Sequence, residues 1–347
     1  MKVMSENKAA GKIRSGKSVN RITGNWEETL TKKKIKRASL QLARLVILSS
    51  PVQSFLAYTK KIALPGFDNM PIYNVADFFF TGIQRGGIVT RAQSLAFSFF
   101  LAIFPATIFI FSLIPYIPIQ DFQGQLLRLI QDMLPSNAFS SVKATLEDII
   151  KIPRGGLLSV GFIAALYFTT NGFMTMMRGF NSSYHIVETR SPWKQRKVAV
   201  ILTLILCTLL LISTILIISS EVVTKYLVSH SILRTKTQIT LLLAGKWLVV
   251  LALFFIGISF LYYYAPSQKK RWRFISAGST LATISAIIMS IGFAYFVNHF
   301  GRYNKIYGSI GTLIVIMLWI YFNSLILILG FELNASIENA KKKLVSK

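Results

Sequence analysis

The run VAVILTLILCTLLLISTILIISS, residues 198–220, holds 23 residues without a formal charge. About 20 residues at 1.5 Å each cross a hydrocarbon core about 30 Å thick. Lipid offers no partner to backbone N–H and C=O groups, so such a run has to be helical. Five further stretches share the pattern: 94–117, 156–177, 241–264, 274–297 and 310–333. The formal charges inside them are Lys246 and Glu332, both off-centre. Six apolar runs of membrane length weigh against buried helices of a water-soluble protein. The expected fold class is an all-α integral membrane protein with six transmembrane helices.

Composition agrees. Of 347 residues, 53% are apolar and 15% charged, against about 25% charged in an ordinary soluble domain. Mean hydropathy is +0.53. A disordered chain, a collagen and a disulfide scaffold are excluded, and Cys207 is the sole cysteine. The net charge of +26 would suit a nucleic-acid binder, so the placement of the basic residues decides. Twenty-nine of the 39 fall in the two tails, 1–93 and 334–347, and in loops 178–197 and 265–273. Nine fall in the alternate loops, and Lys246 lies within a span. Basic residues collect on the cytoplasmic side. Both termini are therefore expected to be cytoplasmic.

Four regions are expected. Residues 1–36 read as a basic disordered tail and 37–93 as an amphipathic, interfacial cytoplasmic segment. Residues 94–338 form the membrane domain and 339–347 a basic tail. Interfacial helices are expected over 37–61 and 71–85, with packing on the protein's own loops as the alternative. No secretory signal is evident, because the apolar run 45–58 is short and contains Pro51.

Several segments together carry a resemblance. They are RAQSLAFSFFLAIFPA (91–106), RGFNSSYHIVETR (178–190), YYYAPSQKKRWRFISAG (262–278) and YGSIGTLIVIMLWIYFNSLILILGFELNA (307–335). In this order the series resembles the YihY / BrkB family of bacterial inner-membrane proteins over roughly residues 75–338. The last segment is the most specific. The resemblance implies a six-helix membrane protein with proposed roles in serum resistance and in envelope or lipid export. It also brings an older ribonuclease BN label, regarded as a misassignment.

A nuclease site finds no support in the residues. Metal-dependent phosphodiester cleavage calls for clustered carboxylates or histidines. His185, His230 and His299 lie in three different loops, and the acids are scattered. No Walker-type glycine loop is present, and no cofactor or metal is expected. Lys269, Lys270, Arg271 and Arg273, around Trp272, could bind RNA by charge and stacking. Their place between two spans is explained by topology and by contact with anionic lipid headgroups. The expected partners are membrane lipids and not nucleic acid, and the chain is not expected to be an enzyme.

Polar residues in spans point to the bundle interior or to a wet cavity. Asn171, Arg178, Asn181, Arg190, Asn323, Glu332 and Asn334 are the substrate or gate candidates. Arg178–Glu332 is the first pairing expected, either as a structural ion pair or as a site for an anionic headgroup. Pro105 is expected to break or kink the first span. Gly278, Ala282, Ala286, Ser290 and Ala294 recur every four residues, a small-residue stripe that permits close helix approach, static or sliding. Lys246 is expected to snorkel outward or to pair with Glu221. The function these features suggest is transport or flipping of a lipid-like or amphipathic anion. The alternative is a non-transporting envelope scaffold that binds anionic lipid or a partner protein.

Overall fold

The computed structural model describes residues 57–345, apart from 61, 64–65, 86, 119–121, 134–142, 145–146, 149, 184–186, 231–234, 268–273 and 300–308. The basic tail 1–36, nearly all of the helix expected over 37–61, His185 and Lys269, Lys270, Arg271 and Arg273 lie outside the described residues. The elements are α1 (Ile72–Arg85), α2 (Ile88–Leu113), α3 (Phe122–Met133), α4 (Gly155–Ser183), α5 (Pro192–Ser229), α6 (Lys236–Tyr264), α7 (Ala277–His299) and α8 (Ser309–Val345). Among the described residues there is no β-strand. Six helices, α2 and α4–α8, are long and apolar enough to cross a membrane. The protein is a multi-pass membrane protein.

By its contacts the chain divides into two units, one of residues 1–63 and 71–73, the other of 64–70 and 74–347. In the first, an isolated antiparallel bridge joins Ala63 to Pro71, and the Lys60 ammonium lies 4.8 Å from the centre of the Tyr73 ring. In the second are the six spans.

Local sequence sets the helix ends. Pro192 opens α5 behind an extended Ser191, since proline needs no donor at a first helical position. Thr235 and Gln238 form a reciprocal capping box on α6. Gly87 takes a left-handed φ of 59° ahead of α2, a conformation glycine adopts without Cβ cost. The helix α2 then continues through Pro105 to Leu113 as one element. One missing N–H leaves the rest of a 26-residue ladder in place.

Burial is unevenly distributed. The main core draws on Leu95, Phe173, Met176, Phe180, Leu202, Leu261, Tyr262, Ile328 and Phe331. All lie toward the end where α2, α5 and α7 begin and α4 and α6 finish. Glycines bring the backbones together. A Cβ on Gly161 would stand 3.1 Å from the Phe109 backbone, and one on Gly278 would stand 2.1 Å from the Gly330 carbonyl oxygen. Toward the opposite end the packing thins. Among the described residues, no side chain is buried along 204–229, 236–256, 287–297 or 313–323. A Cβ on Gly245 or Gly292 would meet nothing within 4 Å. There Ile114, Leu127 and Ile150 form a small separate core with α3.

Two helices outrun the bilayer. At 1.5 Å per residue, the 38 residues of α5 and 37 of α8 span about 55 Å each. The last turns of α8 include residues 339–345 and bury Ile337 and Ala340 beside Val75 of α1. Lys341 there reaches Asp68 at 3.6 Å.

Candidate functional site

Helix periodicity decides which polar residues can meet. The buried face of α4 carries Thr170, Phe173, Met176, Met177, Phe180 and Asn181. Arg178 falls on the other face. It is exposed, and its Nε donates to its own helix at the Met174 carbonyl, 3.4 Å away. The expected Arg178–Glu332 pair does not form.

Glu332 is instead held by Arg91. Arg91 Nη2 donates to Glu332 Oε2 at 3.3 Å, and the two side chains are only 12% and 6% exposed. Arg91 Nη1 donates to the Gly179 carbonyl at 2.9 Å and to Ser183 Oγ at 2.6 Å. Three spans, α2, α4 and α8, thus share one guanidinium. Its Nε is buried with no hydrogen-bond partner among the described residues. Gly82 of α1 backs the carboxylate so closely that a Cβ there would fall 2.2 Å from Glu332 Oε1.

A second polar network lies one turn away. Arg190 grips Glu188 with two bonds, Nε to Oε1 at 2.8 Å and Nη2 to Oε2 at 2.9 Å. Such forked pairs are the stronger charge-assisted kind. Arg190 Nη2 also donates to the Ala265 carbonyl at 2.9 Å. Asn181 Nδ2 donates to Glu188 Oε2 at 2.7 Å, and the Ser267 N–H donates to Asn181 Oδ1 at 2.9 Å. The end of α4, the following loop and the end of α6 are thereby tied together. Burial pushes the Glu188 carboxyl up, but the Arg190 bonds and charge, with Asn181, hold it below its ordinary value.

Asn334 joins α8 to the start of α7. The Gly278 N–H donates to Asn334 Oδ1 at 2.8 Å, and Asn334 Nδ2 donates to Ser276 Oγ at 2.9 Å. Tyr262 donates to the Leu327 carbonyl at 2.8 Å. The Phe180 and Phe331 rings stack 4.1 Å apart beside it.

Asn171 and Asn323 do not enter these networks. Both are half-buried. Asn323 Nδ2 donates to the Trp319 carbonyl of its own helix at 2.8 Å, the local bonding open to a side-chain amide on a helix. The small-residue stripe is divided. Gly278, Ala282 and Ala286 are buried, whereas Ser290 and Ala294 are exposed. The reason is the packing gradient, since α7 meets its neighbours closely at one end only. Lys246 lies 5.1 Å from the centre of the Trp247 ring, a cation–π contact.

Arg91 and Glu188 were not among the residues singled out from the sequence. Arg91 precedes the apolar run that starts at 94, so it reads as a topological charge. The signal was the small and apolar set Ala92, Leu95 and Ala96, which extends the helix back one turn.

Known proteins place this architecture. The family described as virulence factor BrkB matches residues 79–347. YfkH of Bacillus subtilis, a protein with a ribonuclease-like name, is 33% identical over 253 residues, covering 73% of this chain and 91% of its own. A UPF0761 membrane protein of Tolumonas auensis is 25% identical over 265 residues, covering 75% of this chain and 84% of its own. Another, of Xanthomonas campestris, is 28% identical over 251 residues, and the match spans only 56% of that longer protein. No solved structure matches. On a match over residues 79–347, the chain belongs to the BrkB virulence-factor family.

Proposed function

We propose that the protein moves a lipid-like or other amphipathic anion across the bacterial cytoplasmic membrane. The observation that carries this reading is the Arg91 centre. Charged side chains within spans are costly and mark pathways or gates. Arg91 is drawn in among three spans, and its Nε has no partner among the described residues. An arginine offers a planar, permanently charged fork suited to phosphate or carboxylate. The partners in this reading are membrane lipids with anionic headgroups, at the loop basic residues as well as at Arg91. In this reading the chain acts without enzymatic chemistry.

One observation favours the scaffold reading. Asn181, Glu188, Arg190 and the Ser267 backbone satisfy one another, as a static support would require. Reconstitution into liposomes separates the two. Labelled anionic phospholipids and lipid A analogues should change leaflet at a rate that scales with protein per vesicle, while RNA added to the purified protein stays intact. Rates equal to those of protein-free vesicles for every lipid would contradict transport and leave the scaffold.

A further inference from the structure

We infer that the outward face of α4 binds the phosphate headgroup of a phospholipid through Asn171, Arg178 and Arg196. This deepens the transport reading above, on which it rests, by naming a second face and a ligand class. Helix phase sets the face. Positions 167, 171 and 178 follow at steps of four and seven residues, which return to one side of a helix. Tyr167 and Arg178 are exposed there, and Asn171 is half-buried. α2 packs on the side of Gly161 and Gly172, against Phe109 and Phe99. α5 meets the side of Thr170 through Arg196. The face between them is left uncovered.

Three polar groups on this face have donors to spare. The Asn171 amide has no hydrogen-bond partner among the described residues and is not sealed off. Arg178 commits Nε to the Met174 carbonyl and has no other bond among the described residues. Arg196 starts on α5, two residues ahead of the apolar run 198–220. Its guanidinium does not turn toward the helix end. Nη1 donates to Thr170 Oγ1 at 2.7 Å and to the Tyr167 carbonyl at 3.4 Å, and the Tyr167 ring centre lies 5.1 Å from the guanidinium carbon. Both partners lie near the middle of α4, and Thr170 is buried. Nε and Nη2 have no partner among the described residues and are not sealed off. Together they form the fork that grips two oxygens of one phosphate.

Among the described residues no carboxylate pairs with Arg178 or Arg196. Glu188, close by along the chain, is taken up by Arg190 and Asn181. A permanent charge held beside an apolar span is costly without a counter-charge. Val160 and Ile163 are exposed on the same side of α4 and suit acyl chains. An anion that carries its own hydrocarbon meets both demands, whereas inorganic phosphate meets one.

Native mass spectrometry of the full chain in detergent, titrated with phosphatidylglycerol, tests this. Diacylglycerol with the same chains isolates the phosphate. The wild type should bind phosphatidylglycerol roughly tenfold more tightly than diacylglycerol, and excess inorganic phosphate should not displace it. Arg196→Gln should weaken binding roughly tenfold, and Asn171→Leu, which breaks no bond within the protein, roughly threefold. Lys246→Gln, which removes the same charge from α6, should stay within roughly twofold. Diacylglycerol bound as tightly as phosphatidylglycerol would overturn the phosphate site, and displacement by inorganic phosphate would overturn its assignment to a lipid. Wild-type binding by Asn171→Leu and Arg196→Gln, each eluting as one species, would overturn the face. Specific binding without leaflet exchange in vesicles contradicts transport alone, and exchange without specific binding contradicts this face alone.

Discussion

Arg91 Nη2 and Glu332 Oε2 lie 3.3 Å apart, joining the start of the first span to the later part of the last across 241 residues. Removing one partner of a buried pair strands the other charge, at a cost of about 3–5 kcal/mol. Glu332→Gln should therefore lower the thermal midpoint in detergent markedly. Arg91→Met combined with Glu332→Leu should recover much of that loss. A double variant as unstable as the single one would deny that the stranded charge is the cause.

Glu188 predicts a pH dependence. Its carboxyl is held below the ordinary value, so its ionised form binds better in the folded state. That contribution is complete above the unfolded pKa and disappears as pH falls through the lower folded one. Thermal midpoints should thus fall on acidification below about pH 4.5. Glu188→Gln should start lower at neutral pH and lose this part of the slope.

Gly278 and Gly292 sit on one helix and should behave oppositely. An alanine Cβ at 278 meets the Gly330 carbonyl oxygen at 2.1 Å, and backbone cannot rotate aside. Overpacking of this kind costs about 1–3 kcal/mol or more. At 292 the added Cβ meets nothing within 4 Å, so Gly292→Ala should stay within about 0.5 kcal/mol. Tryptophan-monitored unfolding of the two variants side by side gives the comparison.

Tyr262→Phe removes the bond to the Leu327 carbonyl while keeping the ring against Phe180 and Phe331. The expected loss is about 1 kcal/mol. Tyr262→Ala empties a buried site and should cost about 3–5 kcal/mol.

The spans were legible because lipid demands one simple pattern, a long uncharged run, and residues 198–220 show it without ambiguity. The site was less so. Arg178 and Arg91 carry the same charge at the same predicted end, and only helix phase tells them apart. Phase places Arg178 opposite Met176 and Phe180, outside the core. Glu332 and Asn334 were legible as polar residues at a span end, but their partners came from helices far off in sequence. Along the stripe from Gly278 to Ala294, burial is found at Gly278, Ala282 and Ala286 and exposure at Ser290 and Ala294. Nothing in its spacing told that the neighbours would separate after Ala286.

The central claim is that the Arg91–Glu332 centre governs passage of an amphipathic anion. The most direct test is the leaflet exchange of a fluorescent anionic phospholipid, read by dithionite quenching, in vesicles holding wild type, Arg91→Gln or Glu332→Gln at equal, verified incorporation. The account predicts protein-dependent exchange by the wild type and a change of at least tenfold in each variant. Exchange by all three at the rate of empty vesicles, or at one shared rate above it, would contradict it.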